Sequence, residues 1–85
     1  MRDKVVLITG ANGGLGTSIT QSFLRTGALV TGVSNKISAA DFPQPNFTAV
    51  SADLTKASAT NDVVQSVIAH HGRLDILVHV LGGFA

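Results

Sequence analysis

The chain is 85 residues long, 45% hydrophobic and 13% charged, with a mean hydropathy of +0.37 and a formal net charge of +1. That length fits one small domain or part of a larger one, and a near-neutral charge with unclustered acids offers no basic field to nucleic acid. No apolar run approaches the roughly 20 residues that span a bilayer, and the absence of cysteine excludes disulfides and thiolate metal sites.

The opening "MRDKVVLITG" has neither a long apolar core nor a small-residue cleavage site, so a cytoplasmic protein is the expectation. Lys4–Thr9 ("KVVLIT") is an unbroken β-branched and aliphatic run, the pattern of a strand buried on both faces of a parallel sheet. "TGANGGLG" follows at once, with four glycines in eight residues. From Gly14 to about Thr26 the pattern turns helical, with Leu15, Ile19 and Phe23 spaced as one stripe and Gly27 as the stop.

Ala28–Val33 is a second strand and Asn46–Ala52 a third. Between them one helical turn is expected near Ile37–Asp41, before Pro43 and Pro45 forbid more. Thr55 or Ser58 can cap a second helix carrying Val63, Val64, Val67, Ile68 and His71, which Gly72 ends. "LDILVHVLGG" then supplies a fourth strand, Ile76–Leu81. Strands alternating with helices predict an α/β class, a Rossmann-type doubly wound parallel sheet in the order 3-2-1-4. Its ligand crevice falls at the switch point between strands 1 and 4, at the strands' carboxyl ends.

The glycine loop lies at that crevice. Glycines admit close backbone approach, and the following helix offers unsatisfied N–H groups and a positive dipole end to a pyrophosphate. No Gly-Lys-Ser/Thr closes the turn, which excludes a P-loop. Glycines 10, 14 and 16 give T-G-x-x-x-G-x-G, which resembles the short-chain dehydrogenase/reductase family. Gly13 also completes G-x-x-G-x-x-G, the form of that superfamily's extended branch, so the loop alone leaves both branches open. Asp53-Leu54 after strand 3, "GRLDILV" leading into strand 4, and the 26 positions from Asp53 to His79 favour the classical branch.

The resemblance implies that residues 1–85 form the amino-terminal part of a single NAD(P)-binding domain. It assigns Gly10, Asn12, Gly13, Gly14, Leu15 and Gly16 to the pyrophosphate, with Gly14 and Gly16 at the closest backbone approach. It places Asp53 and Leu54 beside the adenine and Gly82 against the ribose. The family's Asn-Asn-Ala-Gly is replaced here by His79-Val80-Leu81-Gly82, which keeps only the glycine. His79 reads either as a histidine satisfied inside the sheet or as a trace of the extended branch's His-x-Ala-Ala. His70 and His71 read as helix surface. Cofactor choice is set after strand 2, where Ser34, Asn35 and Lys36 bring no carboxylate and one cation. NADP is therefore expected, with NAD as the alternative.

The implied reaction is hydride transfer between NAD(P)(H) and a carbonyl or alcohol. In the family a Tyr, a Lys, a Ser and an Asn perform it, all after strand 4, and this sequence contains no tyrosine. No residue is assigned a catalytic role and no metal site is expected. Alone, the chain is expected to be inactive, marginally stable and prone to self-association through strand 4. A full-length form is expected to be a homo-oligomer. The competing reading is a non-catalytic nucleotide-binding or regulatory fragment.

Overall fold

The computed structural model describes residues 2–80, apart from the side chain of Ala57. Four strands, β1 (Val5–Thr9), β2 (Leu29–Ser34), β3 (Phe47–Ser51) and β4 (Ile76–His79), form one sheet in the order β3-β2-β1-β4. All three pairings are parallel. The helices α1 (Gly14–Arg25) and α2 (Ala57–His71) complete the fold with a 3-10 turn at Ala39–Asp41. The expected α/β architecture and strand order are those observed.

β1 sits at the centre because its side chains have no polar face to show water. Val6 and Ile8 pack with Leu24, Val30, Phe42 and Phe47 on the α1 side. Val5 and Leu7 pack with Val33, Val63 and Val67 on the α2 side. Alternate residues thus feed two cores across one sheet, as a period of two requires. Asn46 ties the α1 layer to the sheet by donating its side-chain amide to the carbonyls of Leu24 (3.3 Å) and Ala28 (2.7 Å).

Three local expectations are corrected. The buried stripe of α1 is Gly16, Thr20 and Leu24, with Ile19 and Phe23 beside it, while Leu15 is 67% exposed. Thr20 can face the core because its hydroxyl donates to the Ala11 carbonyl at 3.2 Å, which satisfies a group that is otherwise costly to bury. Neither Thr55 nor Ser58 caps α2. Its N-cap is Lys56, without a side-chain bond, because Thr55 is engaged by Asp53. The strand expected over Ile76–Leu81 is observed as Ile76–His79, and Leu81 and Gly82 lie outside the described residues.

β4 is pinned at its start. The Asp75 carboxylate accepts from the Val5 N–H at 2.8 Å and from Arg73 Nε at 2.9 Å. The Val5 N–H foremost, with the charges of Arg73 and Lys4, holds that carboxyl below its usual range against the opposing effect of burial. Among the described residues no helix is long and apolar enough to cross a membrane.

Candidate functional site

The turn from β1 into α1 builds the site. Gly10 takes φ +69°, a left-handed conformation, and a Cβ there would lie 2.6 Å from the Val80 carbonyl oxygen. Glycine is therefore demanded twice, by the backbone angle and by the strand β4 exit beside it. A Cβ on Gly16 would overlap the Gly10 carbonyl, so Gly16 allows the loop to fold onto the first turn of α1. An added Cβ there would meet the chain's own backbone. Gly14 is the opposite case, with nothing within 4 Å of an added Cβ.

The first helical bond runs from the Thr17 N–H to the Gly13 carbonyl at 2.7 Å. The N–H groups of Gly14, Leu15 and Gly16 precede it and have no intrahelical acceptor. Gly13 supplies no side-chain cap, and the first turn has no acid. Open space over Gly14 beside uncapped donors is a cradle that fits an anionic diphosphate.

Beside this loop a cavity of about 400 Å³ opens at the carboxyl ends of the strands. β1 lines it with Thr9 and Gly10, and β2 with Ser34 and Asn35. Leu54, Thr55 and Thr60 line it from the entry to α2, and His79 and Val80 from β4. Of the residues expected at the site, the structure thus gathers Gly10, Ser34, Asn35 and Leu54 in one lining. Asn12 Nδ2 donates to the Lys36 carbonyl at 2.5 Å, joining the glycine loop to the segment after β2. The Lys36 side chain is exposed. Gly82 lies outside the described residues.

Asp53 is exposed, and its Oδ1 accepts from the Thr55 hydroxyl (2.6 Å) and the Thr55 N–H (3.0 Å). The hydroxyl and then the N–H hold its carboxyl below the usual range, with burial opposing weakly. Asp53 is thereby fixed in orientation with Oδ2 still open to a donor. Among the described residues no three His, Asp or Glu side chains are grouped to hold a metal.

The sequence did not mark Thr55, Thr60, His79 or Val80 as lining residues, and gave Thr9 only as the first residue of the glycine motif. Thr9 and His79 are partners in the β1–β4 register, and Thr9 Oγ1 lies 2.9 Å from His79 Nδ1. Thr9 is buried and His79 exposed, so the histidine is satisfied by a hydrogen bond without being enclosed in the sheet. The two lie 70 positions apart, and no local pattern joins them.

A family model described as short chain dehydrogenase matches residues 4–84. An uncharacterized oxidoreductase of Bacillus subtilis is 38% identical over 90 residues, covering 96% of this chain and 35% of its own length. A short chain dehydrogenase of Leptospira borgpetersenii, solved with bound NAD+, superposes with a TM-score of 0.82 at 28% identity, over 96% of this chain and 32% of that one. ElxO, solved with NADP bound, does so at 0.84 and 28%, over 94% and 35%. The chain spans about a third of the length of the curated relatives it matches.

Proposed function

The chain belongs to the short-chain dehydrogenase family, and on that premise we propose that it binds a nicotinamide dinucleotide, NADP ahead of NAD. The observation that carries this is the open cradle over Gly14, at the uncapped start of α1 and beside the crevice that Thr9, Gly10 and Val80 help to line. Gly14, Leu15 and Gly16 would hold the diphosphate through their free N–H groups. Gly10 and Gly13 shape the turn that presents those groups, and Asn12 braces it against Lys36. Asp53, oriented by Thr55, and the neighbouring Leu54 would bear on the adenine.

Ser34 and Asn35 put no carboxylate at the lining position where an acid would grip a ribose 2′-hydroxyl and repel a 2′-phosphate. Lys36 adds a cation next to them. When bound, the dinucleotide would donate a hydride from its reduced nicotinamide ring or accept one on its oxidised ring. This chain's residues bind and orient it. Carbonyl or alcohol turnover in a homo-oligomer is proposed only for a form that extends past residue 85, since by family resemblance the Tyr, Lys, Ser and Asn that move the proton follow β4.

Titration with NADPH, followed by nicotinamide fluorescence, tests the reading. Saturable binding lost in Gly14→Val supports it, and binding unaffected by Gly14→Val overturns the assignment of the cradle. Ser34→Asp should shift preference toward NAD by adding a ribose partner and a repulsive charge together. NAD bound as tightly as NADP by the unsubstituted protein would overturn the specificity assignment.

A further inference from the structure

The crevice holds no charged lining side chain, and His79 is its one titratable group among the described residues. β1 presents Thr9 and Gly10, the β2 exit Ser34 and Asn35, and α2 Thr60. Lys36 and Asp53 adjoin the lining in sequence without belonging to it. The Asp53 carboxylate is turned to Thr55. An imidazole is therefore the sole means by which this lining can change charge in the range where imidazoles titrate, about pH 5–8.

Thr9 fixes how that imidazole is presented. Its hydroxyl is buried at the centre of the sheet and meets Nδ1 at 2.9 Å, which anchors one ring nitrogen. Nε2 is at the far side of the ring, and His79 has no second hydrogen-bond partner among the described residues. In the tautomer where Nδ1 accepts from the Thr9 hydroxyl, the neutral ring carries its proton on Nε2. On protonation the Thr9 hydroxyl oxygen accepts from Nδ1–H instead, so the anchor survives in both charge states and only the charge of the head changes.

We infer that His79, held by Thr9, contacts the bound dinucleotide through Nε2–H and tightens its binding when protonated. The acceptor class is a phosphate or ribose oxygen of the dinucleotide, a polyanion against which a cationic donor makes the stronger bond. The inference rests on the dinucleotide reading above. Thr9 is a positioning residue, whose loss should blunt the effect without removing the titrating group.

The test is calorimetric titration with NAD+ between pH 5.5 and 8 at constant ionic strength. NAD+ is used because a 2′-phosphate monoester titrates near pH 6 and would confuse the result. The unsubstituted protein should bind about fivefold more tightly at the acid end. His79→Gln keeps a hydrogen-bonding side chain and loses the charge, so it should flatten the profile. His71→Asn, on α2 and outside the crevice lining, should keep the full slope. Equal slopes in the unsubstituted and His79→Gln proteins overturn the inference and leave dinucleotide binding standing. No saturable binding at any pH overturns both. Should His79→Gln not fold, proton NMR of the His79 ring in the unsubstituted protein decides the matter. NAD+ should raise its titration midpoint, and an unmoved midpoint overturns the inference.

Discussion

β1 and β4 are written in nearly the same letters, "VVLIT" and "ILVH", yet their surroundings differ completely. Every residue of β1 is buried, whereas along β4 half-buried residues alternate with exposed ones and Leu77 is 43% exposed. Hydrophobicity is shared, so position makes the difference. β1 has a strand on each side and a helix layer on each face, while β4 has one strand neighbour among the described residues. The stabilisation given by a leucine follows the apolar area it removes from water, and Leu7 and Leu77 remove very different areas.

The widest separation should therefore appear on truncating those two leucines. Leu7→Ala is expected to cost about 2–5 kcal/mol, and Leu77→Ala about 0.5 kcal/mol or less, both read from denaturant unfolding. Comparable losses would break the contrast and mean that the outer face of β4 is covered.

Within the loop that leaves β1 the contrast can be sharpened with one methyl group. Gly16→Ala drives a Cβ into the Gly10 carbonyl and should lose about 1–3 kcal/mol together with dinucleotide binding. Gly14→Ala meets empty space, so it should gain about 0.5–1 kcal/mol from helix propensity while weakening the dinucleotide. A thermal melt and a binding titration on both variants give the four signs. A stabilised Gly16→Ala would contradict the packing described for the loop.

At the β3 exit the expected effect is smaller. Asp53→Ala should reduce dinucleotide affinity between about twofold and tenfold and leave the melt nearly unchanged. A collapsed melt would instead make Asp53 a structural residue, acting through Thr55 on the entry to α2.

The smallest effect is an acid response on the β4 side. His71 titrates below its usual range, through burial first and the charge of His70 second. A histidine whose folded pKa is depressed binds protons less readily than in the unfolded chain, so stability falls as pH drops below the ordinary imidazole value, near 6.5. Asp75, also depressed, contributes stability above the ordinary carboxylate value that is lost as pH falls through the folded one. Both groups lie at the α2–β4 junction. Protection factors, which allow for the slower intrinsic exchange in acid, should accordingly fall at β4 amides on acidification before they do at β1–β2 amides, and a uniform change would remove the distinction.

The order of elements was legible because continuous apolar runs alternate with three- and four-residue spacings, and only a parallel sheet accommodates that alternation. The glycine loop was legible for a related reason, since bare backbone between a buried strand and a helix has few uses. What escaped was tertiary. The α1 stripe was misplaced by one residue because Gly16 and Thr20 look unlike core, and only the Gly10 and Ala11 carbonyls explain them. Thr55 resembles a helix cap until Asp53 is seen to hold it. The Thr9–His79 pair exists only through strand register.

That register also has a consequence for the ribosome. β2 can pair with β1, and β3 with β2, once Ser51 has emerged, but the other edge of β1 waits for residues up to His79. At roughly 5–20 residues per second, the intervening synthesis takes about 1.5–6 s. For that interval the most apolar strand in the chain stands with one side open while translation continues. The nascent protein is then exposed to stray strand pairing, and a chaperone that shields the β1 edge during those seconds should raise the soluble yield more than one supplied after release.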